Sequence, residues 1–239
     1  MTERGRRDVG RQAESFDLGP SRLYWEGDSL VAEINEIAVP LPRRLSGSVR
    51  VTPEACGTEA PIALDRGGRH LWWPLAPCAR IAVAFERPQL RWEGHAYLDA
   101  NFGARPLERD FRYWHWSRAQ LRSGTAVLYC GSFPDCAGFE RALLFHRGGG
   151  CDAFAVPPPA SVPGLSLWGI DCETRIEDGA KPRLLQRLED APFYTRALIG
   201  TRLLGESAPA VHESLSLERF SRGWVRMLLP FRMPRRARI

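Results

Sequence analysis

The stretch GHAYLDANFG, residues 94–103, alternates polar and apolar side chains at every second position. One row holds His95, Tyr97, Asp99 and Asn101, and the other holds Ala96, Leu98 and Ala100. A period of two is typical of a β-strand, because successive side chains of a strand point to opposite faces of its sheet. The pattern predicts a strand with one apolar face and one face of polar groups, and it leaves open which face points inward.

Short strands separated by turn residues account for most of the remaining chain. The 239 residues include 22 Gly and 19 Pro, and turn signals recur roughly every 8–15 residues, as in sandwiches and barrels. Strands are predicted at 21–34 (a hairpin around Gly27), 30–39, 46–53, 80–88, 90–101, 123–132, 140–149, 193–205 and 212–220. Segment 111–121 fits either a helix or a strand. The sequence therefore predicts an all-β chain, with a division near residue 122 into halves 1–122 and 123–239.

The composition excludes several classes of protein. Aromatic residues make up 10% of the chain and hydrophobic residues 44%, which is too apolar for a disordered protein. The net charge is +5, and Lys181 is the only lysine, so 33 − 1 leaves 32 arginines. We attribute the excess of arginine over lysine mainly to the composition of a GC-rich genome and not to a functional role. Six cysteines form no CxxC pair, so no zinc site is predicted, and reduced thiols indicate a cytoplasmic chain.

No targeting or membrane-spanning segment is predicted. The first ten residues, MTERGRRDVG, are charged and lack the apolar core of a secretory signal. No run approaches the ~18 apolar residues of a candidate spanning helix.

Residues 219–239 combine seven arginines with apolar and aromatic side chains and contain no acidic residue. Basic and aromatic residues together are typical of surfaces that bind nucleic acids or anionic membranes. The chain has no RNP, zinc-finger or helix-turn-helix pattern, so no nucleic-acid partner is predicted. Peripheral contact with a membrane surface is the functional expectation, and a closing strand with a basic solvent-exposed tail is the alternative.

Histidine and tryptophan concentrate in the same part of the chain as the opening stretch. His70 and Trp72 lie two apart in RHLWWPLAP and therefore share a strand face. Trp114 and Trp116 are likewise two apart in FRYWHWSR. If these segments fold against the polar row that contains Asp99, its carboxyl group lies among aromatic rings.

An aspartic acid among aromatic rings is suited to a particular kind of chemistry. Burial disfavours the ionised carboxylate, so the pKa of such a group rises and it can stay protonated near pH 7. The negative faces of aromatic rings stabilise cations. A proton donor beside such rings is equipped to protonate a carbon–carbon double bond, with Tyr97 and His70 adjusting Asp99 or placing a water.

Simpler interpretations of the same residues remain open at this point. Asp99 could belong to a turn formed by ANFG, and the tryptophans could be core residues. His95 and Asp99 could be two ligands of a metal ion, although a pair four apart on a strand is weak support, and no metal is predicted. The chain contains neither a G-x-S-x-G motif nor a glycine-rich nucleotide loop.

These residues also carry a resemblance to a known family. The sequence resembles the carotenoid 1,2-hydratases, also called hydroxyneurosporene synthases, over nearly its whole length. The matching stretches are FDLGPSRLYWEGDSLVAEINEIAVPLP (16–42), WEGHAYLDANFGARPLERDFRYWHWSR (92–118) and RGWVRMLLPFRMPR (222–235).

The resemblance implies a fold, a reaction and a set of site residues. The fold would be all-β and lipocalin-like, with two packed β-barrel halves. The reaction would be cofactor-independent addition of water to the terminal 1,2 double bond of an acyclic carotenoid such as neurosporene or lycopene, at the inner photosynthetic membrane. Asp99 would be the proton donor, Trp72 and Tyr97 would line the cation site, and His70 would assist a proton relay or place water. Substrate-binding positions are expected at Trp73, His95, Trp114 and Trp116.

The chain departs from the family pattern at its start. Family members continue upstream of the position that corresponds to Met1, so the N-terminal half is expected to lack strands. A second hypothesis is a non-catalytic lipocalin-like carrier of a lipophilic isoprenoid, and a third is a related isoprenoid hydratase or cyclase.

Overall fold

The computed structural model describes residues 5–38, 42–134 and 137–232, with side chains as far as Leu228, and it is built almost entirely of β-strands. The strands are β1 (Val9–Arg11), β2 (Ser15–Leu18), β3 (Ser21–Glu26), β4 (Ser29–Ala38), β5 (Arg43–Ala55), β6 (Ile62–Ala63), β7 (His70–Arg87), β8 (Leu90–Gly103), β9 (Tyr113–Gln120), β10 (Gly124–Ser132), β11 (Phe139–His146), β12 (Cys151–Ala153), β13 (Pro159–Ser161), β14 (Glu173–Arg175), β15 (Arg183–Asp190), β16 (Tyr194–Leu203) and β17 (Glu206–Ser216). Helices α1 (Leu217–Phe220) and α2 (Gly223–Arg232) follow, and single 3-10 turns lie at Arg6–Asp8 and Leu107–Arg109. The predicted all-β class is confirmed.

The strands form two large sheets and a small hairpin. In sheet I the order is β1-β2-β3-β4-β5-β7-β6, with β8 also paired to β7. In sheet II the order is β12-β11-β10-β9-β17-β16-β15, and all of its pairs are antiparallel. Strands β13 and β14 pair only with each other. Most neighbours in these orders are also neighbours in sequence, as short antiparallel connections favour.

The chain divides into two compact units, each built from separate segments. Unit 1 comprises Met1–Glu54, Ala79–Tyr97 and Arg226–Ile239, and unit 2 comprises Ala55–Cys78 and Leu98–Val225. This division differs from the boundary expected near residue 122. Strands β9 and β10 flank that position, yet they pair along their whole length within sheet II, so both belong to one unit.

The core of unit 2 lies against one face of sheet II. Apolar residues from β9, β10, β16 and β17 meet a covering segment that contributes Val162, Leu165, Ile170 and Cys172. Ala197 and Ile199 are completely buried there. Because side chains alternate along each strand, the opposite face of sheet II presents the intervening residues, including Trp116, Tyr129 and Glu213.

Most predicted strands are confirmed, and three details differ. The hairpin around Gly27 is present, with Gly27 at φ 60°, a conformation that favours glycine. Segment 111–121 is resolved as strand β9 from Tyr113 onward. The predicted strand 80–88 is the end of the much longer β7, which continues through two prolines. Beside Pro74, the N–H groups of Gly57 and Thr58 donate to the carbonyls of Leu75 and Pro74, so the chain is paired there through carbonyl acceptors.

The third difference concerns the end of the chain. The strand expected at 212–220 ends at Ser216, whose side chain accepts a hydrogen bond from the backbone N–H of Arg219 and caps α1. The expected closing strand is replaced by α2 as far as Arg232, and residues 233–239 lie outside the described residues. Among the described residues, none of the helices combines the length and apolar character needed to cross a bilayer.

Candidate functional site

Trp72 and Asp99 are in direct contact. The indole Nε1 of Trp72 donates a hydrogen bond to Oδ2 of Asp99 at 2.8 Å. Trp72 is completely buried on β7, and Asp99 is half-buried on the paired strand β8. A buried indole N–H needs a partner, so this bond holds both side chains in place and sets the Asp99 carboxyl against an aromatic surface.

An aromatic cluster surrounds this pair in unit 2. Tyr129 of β10 lies edge-on to Trp72, with ring centroids 5.4 Å apart, and edge-on to Trp114 of β9 at 5.9 Å. Phe139 adds an edge contact to Tyr129 at 5.3 Å, and Phe145 contacts Trp72 at 6.5 Å. Such edge-to-face pairs have the favourable quadrupole geometry. Trp72, Trp114, Tyr129, Phe139 and Phe145 are called the aromatic cluster below.

A second carboxyl group belongs to the same surroundings. Glu213 of β17 lies directly opposite Trp116 of β9, which lies directly opposite Tyr129 of β10, so all three share one face of sheet II. Burial raises the pKa of Glu213, and the nearby Asp99 adds to this rise, whereas Arg196 at 3.0 Å opposes it. Burial likewise raises the pKa of Tyr129, and the charges of Asp99 and Glu213 add to that effect. The two carboxyl groups are therefore electrostatically coupled across the aromatic cluster.

His70 is bonded to another acid instead of to Asp99. Its Nε2 lies 2.6 Å from Oδ2 of Asp110, and both residues are buried. Hydrogen bonding to Arg105 holds the pKa of Asp110 well below its usual range, with further contributions from His70 and Arg69. The carboxylate is thus an acceptor and His70 Nε2 the donor.

The backbone around His70 explains why its ring lies apart from Asp99. Its N–H donates to Oδ1 of Asp65 at 2.8 Å, and Ala104 N–H donates to the carbonyl of Arg69. A Cβ added to Gly103 would lie 2.6 Å from His70 Nδ1, so the ring sits against Gly103. Gly103 is four residues beyond Asp99, about 13 Å along an extended strand.

The remaining predicted positions are distributed more widely. Trp73 is half-buried and donates its Nε1–H to the carbonyl of Thr58 at 2.9 Å. Trp116 is half-buried and lies opposite Tyr129 in sheet II, and its role in substrate binding stays a prediction. Tyr97 is half-buried and His95 is exposed, and both belong to unit 1. His95 is therefore open to solvent, and its assignment as a substrate-binding residue stays a prediction.

Sequence reasoning missed three participants. Tyr129 and Glu213 come from strands β10 and β17, and nothing in the local alternation distinguishes their faces from the core face. Asp110 lies forty positions from its partner His70. Each of these residues can be recognised as part of the site only once folding brings distant segments together. The one short-range contact is that of Arg105 with Asp110, five positions later in the sequence.

Two further histidines lie on the other face of sheet II. Ser214 Oγ lies 2.9 Å from His115 Nδ1 and 3.0 Å from His212 Nε2, and all three side chains are buried. Burial lowers the pKa of His115 to about 4 and that of His212 to about 3. These imidazoles are therefore neutral near pH 7. They form a buried polar cluster that is separate from the aromatic cluster.

No metal centre accompanies these groups within the described parts of the chain: no set of three or more His, Cys, Asp or Glu side chains there is placed to hold an ion.

Comparison with known proteins gives a consistent result. A family model described as carotenoid hydratase CrtC matches residues 1–239. A protein of Thiocapsa roseopersicina named acyclic carotenoid 1,2-hydratase is 46% identical over 235 residues, which cover 98% of this chain. A protein of Rubrivivax gelatinosus with the same name is 46% identical over 238 residues, which cover 99% of this chain. The matched region is 58% of the length of each relative, so the chain spans a little over half of these proteins.

The fold also has solved relatives. The crystal structure of a protein described as AttH from Nitrosomonas europaea superposes with a TM-score of 0.59, covering 87% of this chain and 72% of that protein at 13% identity. At this identity the likeness concerns the lipocalin-like fold alone.

Proposed function

The chain belongs to the carotenoid hydratase family, and from this membership we propose that it adds water to the terminal C1=C2 double bond of an acyclic carotenoid of the neurosporene or lycopene type. The product is the tertiary 1-hydroxy carotenoid. The observation that carries the proposal is the hydrogen bond between Trp72 and Asp99 inside the aromatic cluster. It sets a carboxyl group beside rings that suit both a polyene end and a cation.

The proposed reaction begins with proton transfer from Asp99 to C2. The π electrons form the new C–H bond, and the positive charge develops on the tertiary carbon C1. The faces of Trp72 and Trp114 stabilise this charge through their quadrupoles. Tyr97 is proposed to line the path of the polyene, with Trp73 and Trp116 as further substrate-binding residues. Water then forms the C–O bond at C1 and loses a proton.

His70 is proposed to act on this site indirectly, by positioning its neighbours. Its ring is hydrogen-bonded to Asp110 and makes an edge-to-face contact with Phe111, with ring centroids 4.9 Å apart. Since His70 and Trp72 share a face of β7, a fixed His70 keeps that face in register beside Asp99. We propose that His70 positions this face of β7 and assists the proton relay.

Pigment analysis tests the proposed function. Expression of this chain in cells that make lycopene is expected to give 1-hydroxylated carotenoid, detected by chromatography and by a mass increase of one water. Expression together with the upstream region of a relative is the matched comparison. A carrier would shift the absorbance of the bound polyene and return it unchanged, so unmodified lycopene from both cultures would contradict the hydratase.

A substrate this apolar resides in a bilayer, and we propose that the protein attaches to the membrane surface. Trp168 and Trp224 stack with centroids 6.2 Å apart, yet they remain 46% and 43% exposed, and the neighbouring Leu167 is 81% exposed. Arg219 donates to the carbonyls of Trp168 and Gly169 and brings positive charge to this spot. Exposed indoles beside arginine are suited to the anionic membrane interface.

Vesicle flotation tests this attachment. Removing both indoles, Trp168→Ala with Trp224→Ala, is expected to lower binding to phosphatidylglycerol vesicles about tenfold, as the loss of two interfacial side chains implies. Trp25→Ala, which removes an indole of similar exposure in unit 1, is the control. Undiminished flotation of the double variant, or of a chain lacking residues 222–239, would contradict the proposed surface.

A further inference from the structure

We propose that Glu213 is the general base of the reaction, and that Glu213 and the indole N–H of Trp114 together hold the water that captures the cation. The proposal rests on the hydratase function above and assigns its second step. Asp99 supplies the proton that opens the double bond, and a different group removes the proton of the attacking water. No earlier step requires Glu213.

The position of Glu213 supports this assignment. It shares a face of sheet II with Trp116 and Tyr129. Trp114 lies directly opposite Leu215, two residues beyond Glu213 on β17, so Glu213 and Trp114 are diagonal neighbours on adjacent strands. Diagonal neighbours of this kind have side chains within reach of one another. Glu213 therefore borders the aromatic cluster on the β17 side, whereas Asp99 borders it on the side of β7 and β8.

Trp114 supplies an independent observation. Its Nε1 is buried and has no hydrogen-bond partner among the described residues. Buried indole N–H groups are normally satisfied, and a donor left without a partner at a reaction centre points to a ligand oxygen. A water between Trp114 and Glu213 would accept from the indole and donate to the carboxylate, which aims an oxygen lone pair at C1.

The charges around Glu213 suit a base. Arg196 lies opposite it on β16, with Nε 3.0 Å from Oε1, and the Tyr194 hydroxyl donates to it. Both contacts favour the carboxylate, while Asp99, Glu189 and burial favour the neutral acid. Arg196 and Tyr194 therefore hold Glu213 as a carboxylate ready to accept a proton, and burial raises its pKa and so strengthens it as a base.

The step balances without a further reactant. A water lone pair forms the C–O bond to C1, and an O–H bond electron pair returns to oxygen as that proton passes to Glu213. Asp99 is left as a carboxylate and Glu213 as a carboxylic acid. Proton exchange with solvent restores both groups, so the net reaction is addition of one water.

Deuterium exchange distinguishes this role from a structural one. In D2O, Asp99 places deuterium on C2, and a cation that is not captured can lose the original hydrogen and return as a labelled alkene. Glu213→Gln keeps the size of the side chain but cannot take a proton. We expect its hydration rate to fall about 100-fold or more, the usual range for a general base, while recovered substrate still gains deuterium at C2.

Two further variants complete the experiment. Trp114→Phe keeps the ring beside Tyr129 and removes the N–H, and it is expected to raise exchange relative to hydration. Glu206→Gln removes another carboxylate of β17 and is expected to leave both rates unchanged. Thermal melting of each variant checks that the fold is retained.

The outcomes separate the two proposals. Hydration by Glu213→Gln within about threefold of wild type would overturn its role as a base. Loss of hydration and exchange together in a folded Glu213→Gln variant would overturn it too, since the base acts after the proton is transferred. If the wild-type chain shows neither hydration nor exchange, the proposed function itself fails.

Discussion

Asp99→Asn is expected to reduce hydration of an acyclic carotenoid by about 10³-fold or more, within the range lost when a general acid is removed. The amide has nearly the same shape as the acid, and its oxygen still accepts the N–H of Trp72, which donates to Asp99 at 2.8 Å. The packing of the aromatic cluster is therefore retained. What is lost is the acidic proton, because an amide N–H is too weak an acid to protonate an alkene.

The measurement compares product formation and thermal unfolding in the same preparations. We expect unchanged melting of Asp99→Asn, no hydroxylated product and, in D2O, no deuterium in the recovered substrate. Trp72→Phe is the matched control: it removes the hydrogen bond to Asp99 but leaves the acid, so it is expected to lose less activity than Asp99→Asn. Substantial hydration by Asp99→Asn would show that another group supplies the proton.

Alternation at period two predicts that Asp99 and Tyr97 share one strand face and that Ala96 and Ala100 lie on the other, because alternation depends only on local geometry, but it leaves open which face points inward. A strand must separate Asp99 from Ala96 and Ala100, and pairing with the segment that contains His70 and Trp72 then follows from an antiparallel connection. The structure joins the two segments through the Trp72–Asp99 hydrogen bond, and the role of Asp99 as proton donor stays a prediction. The same local rule could not show that His95 is exposed, since exposure depends on what covers the strand.

The rest of the candidate site depends on contacts between distant segments. Glu213 approaches Trp116 only because β17 inserts beside β9, a pairing between residues about a hundred positions apart. Asp110 directly follows the 3-10 turn Leu107–Arg109 and bonds to His70 and Arg105. Strand periodicity carries no information about contacts made by such a loop. The register between paired strands and the conformation of loops decide which residues become partners of this kind. Local patterns in one sequence do not show which strands pair, so they do not identify these partners.

Acidification below about pH 6.5 is expected to destabilise the protein before most of its carboxylates are protonated. The reason lies in His115 and His212, which share Ser214 and are buried as neutral imidazoles, with pKa values of about 4 and about 3. In the unfolded chain a histidine has a pKa of about 6.5. Between pH 6.5 and about 4 the unfolded chain therefore binds more protons than the folded one, and the free energy of unfolding falls as the pH falls.

The size of this effect follows from linkage. Each histidine costs about 1.4 kcal/mol per pH unit within that window, so lowering the pH from 7 to 5 removes about 2 kcal/mol for each, or about 4 kcal/mol together. Glu213 acts in the opposite sense, because its raised pKa makes the folded chain bind a proton first as the pH falls. Against a typical total stability of about 5–15 kcal/mol, the two histidines are expected to dominate.

Urea unfolding at pH 7, 6 and 5 measures this dependence. The matched variant combines His115→Asn with His212→Gln, since the Asn amide can replace Nδ1 of His115 and the Gln amide can replace Nε2 of His212 toward Ser214. Neither amide titrates, so the variant is expected to lose most of the slope between pH 7 and 5, whatever its stability at pH 7. An equal slope in both proteins would place the acid sensitivity outside this cluster.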